Sequence, residues 1–382
     1  MSRAPFSFYE FFAGGGMARL GLGEAWDCTF ANDFDAVKAA AYRANFPQQP
    51  GAAAEHFHEG DVWKLNTGDL PGRADLAWAS SPCQDFSLAG ARAGLAGGRS
   101  SAFFGFWRLI EGLAAEGRAP RAIVIENVSG LLTSHGGRDF AALGAALAAQ
   151  GYSFGALEID AAGFLPQSRP RVFVIGTREP APADLIGTSP FHTRAVKAAH
   201  AALPSVLAER WIWWRAAAPA PRNTDLAALL EPDAAVAWHS PERTARWLDL
   251  MAPLHRARLA AIGDRADRSV GAVYRRMRLE EGRKVQRAEV RFDGVAGCLR
   301  TPRGGSSRQV IVVVEAGQVR TRLLTAREAA RLMGLPEGYR LPKAATSALH
   351  VTGDGVAVPV VRWLGQQILE PLLAAAAAMA AE

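Results

Sequence analysis

The chain has 382 residues, of which 49% are hydrophobic and 21% are charged, a composition typical of a folded protein with room for about two domains. No apolar stretch reaches the length of a membrane helix, and the N-terminus lacks the layout of a signal peptide. The three cysteines (Cys28, Cys83 and Cys298) form no CxxC pair, which argues against a disulfide framework or a structural zinc site and favours the cytoplasm.

The positive net charge of +6 comes from the middle of the chain. From residue 178 to residue 320 the sequence has 23 Lys and Arg against 15 Asp and Glu, and most of the basic residues are arginine. Arginine suits phosphate groups and guanine edges better than lysine does. Composition alone leaves two interpretations open: a polyanionic partner for this segment, or a genome rich in G and C that favours Arg and Ala codons.

Strand-like and helical patterns alternate over the first 177 residues. Strands are predicted at 7–12, 28–31, 74–80, 122–127 and 171–177, and the apolar residues between 103 and 113 recur at helical spacing. This alternation predicts an α/β fold with a mostly parallel sheet and helices on both sides. Ligands of such sheets bind beyond the carboxyl ends of the strands.

The pattern changes after Arg178, where Pro, Ala and Arg dominate and tryptophans cluster at 211, 213 and 214. A strand-like run at 309–315 closes this part, and helical patterning returns at 325–335 and 357–379. We therefore expect a discontinuous core domain of residues 1–177 and 325–382, with a smaller basic domain of residues 178–324 inserted between its two parts.

A glycine-rich turn, Gly14-Gly15-Gly16, lies between the first strand and a helix that starts near Met17. Glycine lets the backbone approach a ligand closely, and the helix N-terminus adds a partial positive charge. Asp33, about 20 residues on, is placed to take ribose hydroxyls, and Asp61 could bind an adenine amino group. The three positions together predict an adenosine-type cofactor, and because the glycines do not form GxGxxG, a dinucleotide is disfavoured. Alone, the glycines could be a tight turn.

Cys83 lies in the segment Ser81-Pro82-Cys83-Gln84, which follows the strand 74–80 and should bring the sulfur to the carboxyl end of the sheet. Pro82 stiffens this turn. A single cysteine is more often a small buried hydrophobe, but the position on a strand-end loop favours a nucleophile. The glycine-rich stretch up to residue 101 is typical of a lid that closes over a substrate.

Polar residues also mark the ends of two later strands. A carboxylate such as Glu126 is costly at the end of an apolar strand unless it has a partner or a function, so it is a candidate to hold and give a proton. The alternative is a helix cap around Asn127. Gln167, Arg169 and Arg171 alternate where the strand 171–177 opens, so they should share a face and could grip a phosphate and a base carbonyl. The alternative is a solvated strand start.

The segments described above, in their order along the chain, resemble the motifs of the DNA (cytosine-5) methyltransferase family. The matching segments are EFFAGGGMARLGLG, SPCQDFSLAG, IENVSGL, QSRPRVFVIG, TAREAARLMGLPEGY and GDGVAVPVV. The basic insert falls where this family keeps its target recognition domain. The resemblance implies a Rossmann-like methyltransferase fold that transfers a methyl group from S-adenosyl-L-methionine to C5 of a flipped-out cytosine in double-stranded DNA.

The resemblance also implies roles for individual residues. Cys83 attacks C6 of the base, Glu126 supports N3 and the exocyclic amine, Arg171 binds the base carbonyl, and Arg169 makes loop or phosphate contacts. The implied catalytic set is Pro82, Cys83, Gln84, Glu126, Asn127, Gln167, Arg169 and Arg171. The chemistry agrees, because C5 of cytosine is a poor nucleophile until a thiolate has added to C6.

For the cofactor, the resemblance places Phe12 against adenine, the glycine turn beside the methionine part, Asp33 on the ribose and Asp61 at adenine. The implied cofactor-binding set is Phe12, Ala13, Gly14, Gly15, Gly16, Met17, Asp33, Phe34, Asp61, Val62, Pro82, Asp354 and Val356, with no metal. The region of Val356 should pack against the first motif. Asp354 and Gly355 stand where the family more often has Asn and Ser, which leaves the local hydrogen bonding open.

Two alternatives remain at this point. One is an RNA cytosine methyltransferase of the same fold, although the Cys-Phe-Thr motif of the branch acting on transfer RNA is not found here. The other is a catalytically idle DNA-binding protein, against which the intact Cys83, Glu126 and Arg171 argue. The expected protein is a monomer with no membrane contact, either paired with a cognate restriction endonuclease or acting alone.

Overall fold

The computed structural model describes residues 5–48, 55–81, 102–263, 267–301 and 308–381. The chain forms two compact units. The first contains residues 1–160, 170–220 and 356–382, and the second contains residues 161–169 and 221–355. These limits differ from the predicted domain limits at 177 and 325, and the function assigned to each predicted domain stays a prediction.

The first unit is built on a seven-stranded sheet. Its strands are β1 (Phe6–Phe11), β2 (Trp26–Asp33), β3 (Phe57–Glu59), β4 (Leu76–Ala79), β5 (Ala122–Val128), β6 (Ser153–Asp160) and β7 (Pro170–Thr177), in the spatial order β3-β2-β1-β4-β5-β7-β6. Strands β1 to β5 pair in parallel, and β7 is antiparallel to both β5 and β6. The chain order reverses between β1 and β4, and this is the position where open α/β sheets bind ligands. The predicted α/β fold class is confirmed.

Helices complete the first unit. They span Met17–Leu22, Ala36–Asn45, Ala102–Ala115, Arg138–Ala149, Arg194–Ala201, Ser205–Ala208, Val358–Leu364 and Glu370–Ala381, with a π-helical turn at Gly365–Leu369. The carboxylate of Asp35 caps the second of these helices by accepting the backbone N–H of Val37 at 2.9 Å. The aromatic spacing that predicted the helix Ala102–Ala115 reflects its buried side, where Phe106 and Ile110 are fully buried in the core.

Residues 178–220 pack with the first unit because they continue its outer edge at β6. The backbone N–H of Ile212 donates to the carbonyl of Phe154 at 2.7 Å. The fully buried indole of Trp214 donates to the carbonyl of Ile175 at 3.2 Å. A Cβ at Gly155 would lie 1.9 Å from the carbonyl oxygen of Ile212, so only glycine permits this approach. The predicted tryptophan cluster thus belongs to the sheet-bearing unit.

The second unit has a four-stranded antiparallel sheet. Its strands are β8 (Ser269–Glu280), β9 (Arg283–Arg291), β10 (Val310–Glu315) and β11 (Gln318–Leu323), in the order β11-β10-β8-β9. Its α-helices, in the described part of the unit, are Pro241–Asp249, Pro253–Gly263, Ala326–Leu332 and Ala345–Asp354. The Arg322 guanidinium and the Glu328 carboxylate form a fully buried pair at 2.6 Å, which ties β11 to the helix Ala326–Leu332.

Among the residues that the structure describes, no helix is long and apolar enough to cross a membrane. The same residues contain no group of three or more His, Cys, Asp or Glu side chains that could hold a metal ion.

Candidate active site

The glycine turn directly after β1 passes repeatedly through left-handed backbone conformations. Phe12 has φ 57°, Gly14 has φ 56° and Gly16 has φ 78°. Such angles are easy for glycine and uncommon for an aromatic residue. The helix Met17–Leu22 begins immediately after Gly16, so the turn delivers the chain to a helix N-terminus at the switch point of the sheet.

The turn is tightly packed at one end and open at the other. A Cβ at Gly16 would lie 2.3 Å from Cε2 of Phe46, whereas a Cβ at Gly14 would have no heavy atom within 4 Å. The side chains of Ala13 and Met17 are buried, and their predicted cofactor contacts stay predictions. The open part of the turn lies at Gly14.

Asp33, at the end of β2, is bonded to this turn. Its Oδ2 accepts the backbone N–H of Gly14 at 2.8 Å, and its Oδ1 accepts the N–H of Asp35 at 2.9 Å. Burial raises the pKa of Asp33 above its ordinary value, against the lowering effect of nearby Lys38 and these two hydrogen bonds. Each carboxylate oxygen retains acceptor capacity, and the next residue, Phe34, is 71% exposed. An acceptor and an exposed aromatic ring therefore lie side by side at the sheet edge.

Asn32, which is buried next to Asp33, fixes the segment that leads to Asp61. Its Nδ2 donates to the carbonyls of His58 and Gly60, both at 2.9 Å. Asp61 is exposed and uses its carboxylate to cap the short helix that follows, while the side chain of Val62 is 3% exposed. The roles predicted for Asp61 and Val62 at adenine stay predictions.

Asn127 holds the end of β4. Its Nδ2 donates to the carbonyl oxygen of Ser81 at 3.0 Å and to the Ser81 hydroxyl at 3.3 Å, and both residues are buried. Residues 82–101 lie outside the described residues, and with them the predicted Pro82, Cys83 and Gln84. The residue directly before Pro82 is thus fixed to the end of β5.

Glu126 and Arg171 form an ion pair between β5 and β7. The Nε of Arg171 lies 3.1 Å from Oε1 of Glu126, and the two side chains are 15% and 8% exposed. Val128 is opposite Arg171 in the antiparallel register, so the pair meets diagonally on one face of the sheet. Arg171 also donates from Nη1 to the carbonyl of Pro170 at 2.8 Å. The pair places a hydrogen-bond acceptor and a donor side by side near the strand ends.

The side chain of Gln167 forms hydrogen bonds within the second unit. Its Nε2 donates to the carbonyl of Leu332 at 2.6 Å, and its Oε1 accepts the backbone N–H of Leu299 at 3.1 Å. The side chain is fully buried. Strand β7 begins only at Pro170, so the predicted alternation with Arg171 does not extend back to Gln167.

Arg169 also binds backbone of the second unit. Its Nη1 donates to the carbonyl of Leu299 at 3.0 Å, and its Nη2 donates to those of Gly353 at 3.0 Å and Gly355 at 2.7 Å. The residue is 2% exposed. These three partners are backbone carbonyls, and a catalytic part for Gln167 and Arg169 stays a prediction.

Asp354, the last residue of the helix Ala345–Asp354, belongs to the second unit. Its carboxylate accepts the hydroxyl of Thr301 and lies 3.2 Å from Nε2 of His350, one turn earlier. A Cβ at Gly353 would lie 2.7 Å from the carbonyl carbon of Arg300. These contacts answer the question of local hydrogen bonding that the sequence left open, and the predicted cofactor contact of Asp354 stays a prediction.

Val356 lies in the first unit and is buried. It is followed by the helix Val358–Leu364, which lies against the helix Met17–Leu22. A Cβ at Gly21 would lie 2.4 Å from Cβ of Val361. The structure therefore packs the region after Val356 against the helix that follows the glycine turn.

A family model of the C-5 cytosine-specific DNA methylase matches residues 6–370. The chain belongs to this family. Members of the family use S-adenosylmethionine as methyl donor, and the protein is a DNA cytosine-5 methyltransferase. The open turn at Gly14, the acceptor Asp33 and the exposed ring of Phe34 fit an adenosine-containing cofactor.

Curated relatives of this methylase are bacterial Type II methyltransferases. It is 26% identical to M.DsaV of Dactylococcopsis salina over 97% of this chain and 87% of that protein, and 26% identical to M.NlaX of Neisseria lactamica over 97% of this chain and 98% of that protein. The match to M.BsuFI of Bacillus subtilis is 34% identical but covers only 44% of this chain and 39% of that protein.

The methylase also shares its fold with solved structures. Dnmt2 methyltransferase of S. pombe superposes with a TM-score of 0.58 at 17% identity, covering 96% of this chain and 99% of that one. The methyltransferase EhMeth of Entamoeba histolytica gives 0.59 at 12% identity, covering 96% and 98%.

Two residues of the methylase's site were missed by the sequence analysis. Ser81 accepts both hydrogen bonds of Asn127, and Asn32 fixes the segment before Asp61. Each is a small polar residue at the end of an apolar strand, where burial requires hydrogen-bond partners. That position was the available signal, but the partners are distant in sequence and could not be named from it.

Proposed function

We propose that the methylase acts on a cytosine flipped out of duplex DNA, with Cys83 as its covalent nucleophile. The observation that carries this proposal is the arrangement at the ends of β4, β5 and β7. Asn127 fixes the residue before Pro82 and Cys83, and the neighbouring residue of β5, Glu126, is paired with Arg171. A nucleophile segment and a polar pair that can bind the edge of a base thus start from the same strand ends.

Covalent addition solves the chemical problem that C5 of cytosine is a poor nucleophile. The Cys83 thiolate forms a bond to C6, and the electron pair of the C5–C6 double bond makes C5 carbanion-like. When bound, S-adenosylmethionine supplies the methyl group that C5 accepts. Loss of the C5 proton to a base then restores the double bond, and the bond between sulfur and C6 breaks to release Cys83.

The polar pair has the groups that this addition needs. Glu126 can hold a proton at N3 and accept a hydrogen bond from the exocyclic amine, which withdraws electron density from C6 as the thiolate adds. Arg171 can donate to the base carbonyl, because its Nε and Nη1 contacts to Glu126 and Pro170 fix the plane of its guanidinium.

Cofactor binding is proposed for the edge formed by the glycine turn and the end of β2. Gly14 leaves room for close approach, Asp33 supplies acceptors for ribose hydroxyls, and Phe34 and Phe12 supply aromatic faces. Asp61 is proposed at the adenine amine.

We also propose that the segment 178–324, with the antiparallel sheet of the second unit, recognises the DNA sequence, as its surplus of arginine suggests. The names of the relatives favour a role in restriction and modification beside a separate endonuclease. We expect a cytoplasmic monomer bound to the nucleoid through DNA, since one flipped base needs one active site.

The decisive experiment traps the covalent adduct. Wild-type protein should form a complex stable to denaturation on a 5-fluorocytosine duplex with S-adenosylmethionine, and Cys83→Ser should bind the duplex without forming it. Bisulfite sequencing of DNA from cells expressing the wild type should show protected cytosines in one short context. A folded, cofactor-binding wild type that protects no DNA cytosine would refute a DNA substrate and direct the search to RNA.

A further inference from the structure

The β8–β9 hairpin extends well beyond the sheet of the second unit. Strands β8 and β9 pair without interruption from Ala272 and Arg291 to Glu280 and Arg283. Strand β10 pairs with β8 only as far as Val273. Within the described part of the chain, the hairpin from Tyr274 onward is therefore a two-stranded ribbon with no third strand.

The end of the ribbon is a tight two-residue turn. Glu281 and Gly282 have φ of 47° and 78°, the pair of positive values that a type I′ turn requires. This turn matches the natural twist of the two strands, so the ribbon keeps a defined register to its tip.

The ribbon is strongly basic. Between Tyr274 and Arg291 the sequence has seven Lys or Arg and three Glu, so a large part of the positive charge of the middle segment is concentrated here. A ribbon with this charge suits a polyanion.

One side of the ribbon carries four arginines: Arg276, Arg278, Arg283 and Arg287. The carboxylate of Glu289 lies 3.6 Å from Nε of Arg276 and also pairs with Arg278. Arg287 donates from Nε to Glu280 at 2.8 Å. Two carboxylates thus orient the guanidiniums of this side without neutralising it.

The other side carries two charged residues, Lys284 and Arg275, and the guanidinium of Arg275 lies over the ring of Trp247 at 4.3 Å. Met277 and Leu279 are 57% and 73% exposed, and Gln286 and Lys284 are their partners across the strands. Burial of these two exposed apolar side chains by a partner would stabilise the complex. A glutamine beside them can hydrogen-bond to adenine, and apolar side chains can contact the methyl group of thymine.

We propose that the ribbon from Tyr274 to Glu289 lies in the major groove of the substrate DNA and reads its sequence. The Met277, Leu279 and Gln286 side contacts base edges, and the arginine side contacts phosphates at the rim of the groove. The groove is about 12 Å wide and admits a two-stranded ribbon. This inference rests on the proposed function, in which duplex DNA is the substrate.

Substitutions on the two sides should have different effects: those on the arginine side should lower the affinity for DNA, and those on the other side should change the sequence specificity. Arg276→Gln/Arg278→Gln keeps hydrogen-bonding capacity toward Glu289, and should weaken binding to all duplexes by about tenfold while lowering the salt slope by about two. The matched control is Arg73→Gln/Arg138→Gln, two exposed arginines outside residues 178–324, and Arg283→Gln at the exposed tip is a second variant that leaves the Glu289 pairs intact. Fluorescence anisotropy at several salt concentrations measures both quantities.

Met277→Ser/Leu279→Ser should broaden or change the methylated context by bisulfite sequencing, with an unchanged salt slope. Its control is Leu254→Ser, another exposed leucine (61%) of the same unit. If the wild type methylates one context and all ribbon variants match their controls, the inference fails while the proposed function stands. If the wild type methylates no DNA, the proposed function itself fails. A Met277→Ser/Leu279→Ser variant that only converts a dimer to a monomer in sedimentation would overturn the DNA assignment of this side.

Discussion

The amide of Asn127 donates to both the carbonyl oxygen and the hydroxyl of Ser81, at 3.0 and 3.3 Å. This contact joins the end of β5 to the last residue before Pro82. Because the contact is buried, its loss is expected to cost about 1 to 3 kcal/mol, part of it as misplacement of the segment that carries Cys83.

Asn127→Ala should therefore lower kcat by about tenfold to a hundredfold while changing the Kd for duplex DNA by less than about threefold. The measurement is single-turnover methylation together with anisotropy. Asn45→Ala is the matched control, since Asn45 also donates from Nδ2 to a backbone carbonyl, that of Ala41 at 2.8 Å. A variant that loses stability but retains the kcat of the control would make Asn127 a purely structural residue.

Glu126→Gln preserves the shape of the side chain but removes the charge that pairs with Arg171. We expect kcat to fall by about a hundredfold or more, as for loss of a general acid or base, with the affinity for S-adenosylmethionine unchanged. The control is Asp75→Asn, which breaks another half-buried pair in the first unit, Arg121 and Asp75 at 3.0 Å. Equal activity of the two variants would argue against a contact between Glu126 and the base.

The glycine turn predicts a contrast between two alanine variants. Gly14→Ala should cost about 1 to 2 kcal/mol of stability, because its φ is positive, and should weaken S-adenosylmethionine binding by at least about tenfold, because the new Cβ occupies the open space. Gly16→Ala should destabilise the fold more, since its Cβ would meet the ring of Phe46 at 2.3 Å. Calorimetric titration and thermal unfolding separate these effects, and wild-type cofactor affinity in Gly14→Ala would place the cofactor elsewhere.

Stability should depend on pH through Glu10, which lies fully buried at the end of β1. Burial raises the pKa of Glu10 from 4.5 to about 8, although Arg19 opposes the shift. The folded chain then retains a proton that the unfolded chain has already released, so this stabilisation is complete below pH 4.5 and is lost as the pH rises to about 8. Half-buried His56, whose pKa burial lowers from 6.5 to about 4, adds an opposing slope near pH 6.5, where the unfolded chain releases its proton, and little above pH 7.5.

Between pH 6.5 and 8 the free energy of unfolding should therefore fall by up to about 1.4 kcal/mol per pH unit from this one group. Glu10→Gln should flatten that slope, as measured by urea unfolding at pH 6.5, 7.2 and 8. Parallel slopes for the wild type and the variant would contradict a proton held on Glu10.

The strand ends with candidate site residues were predictable because each is an apolar run followed directly by glycine or polar residues. This holds for the glycine turn after β1, for the segment of Cys83 after β4 and for Glu126 in β5. The packing of the region after Val356 on the helix Met17–Leu22 was predicted from the resemblance, and the structure shows that contact.

Other features depend on contacts that local pattern does not reveal. Strand β6 (Ser153–Asp160) was missed because Gly155 interrupts its alternation. Glycine is needed there because the backbone of Ile212 approaches closely. Gln167 and Arg169 alternate with Arg171 in sequence, yet their side chains bind the backbone of residues more than 100 positions away. Alternation gives a direction for side chains only inside a strand, and β7 starts after both residues.

The first unit is closed by both ends of the chain. Trp26 in β2 donates to Glu370 at 3.1 Å across 344 positions, and Arg121 donates to the carbonyl of Leu373. During synthesis, the outer side of the helix Met17–Leu22 stays uncovered until Val361 has been made. Contacts of such long sequence separation slow folding, so a ribosome-bound chain stopped before residue 356 should hold an incomplete cofactor unit. Binding of the cofactor should then begin only after the segment that follows residue 356 has been made.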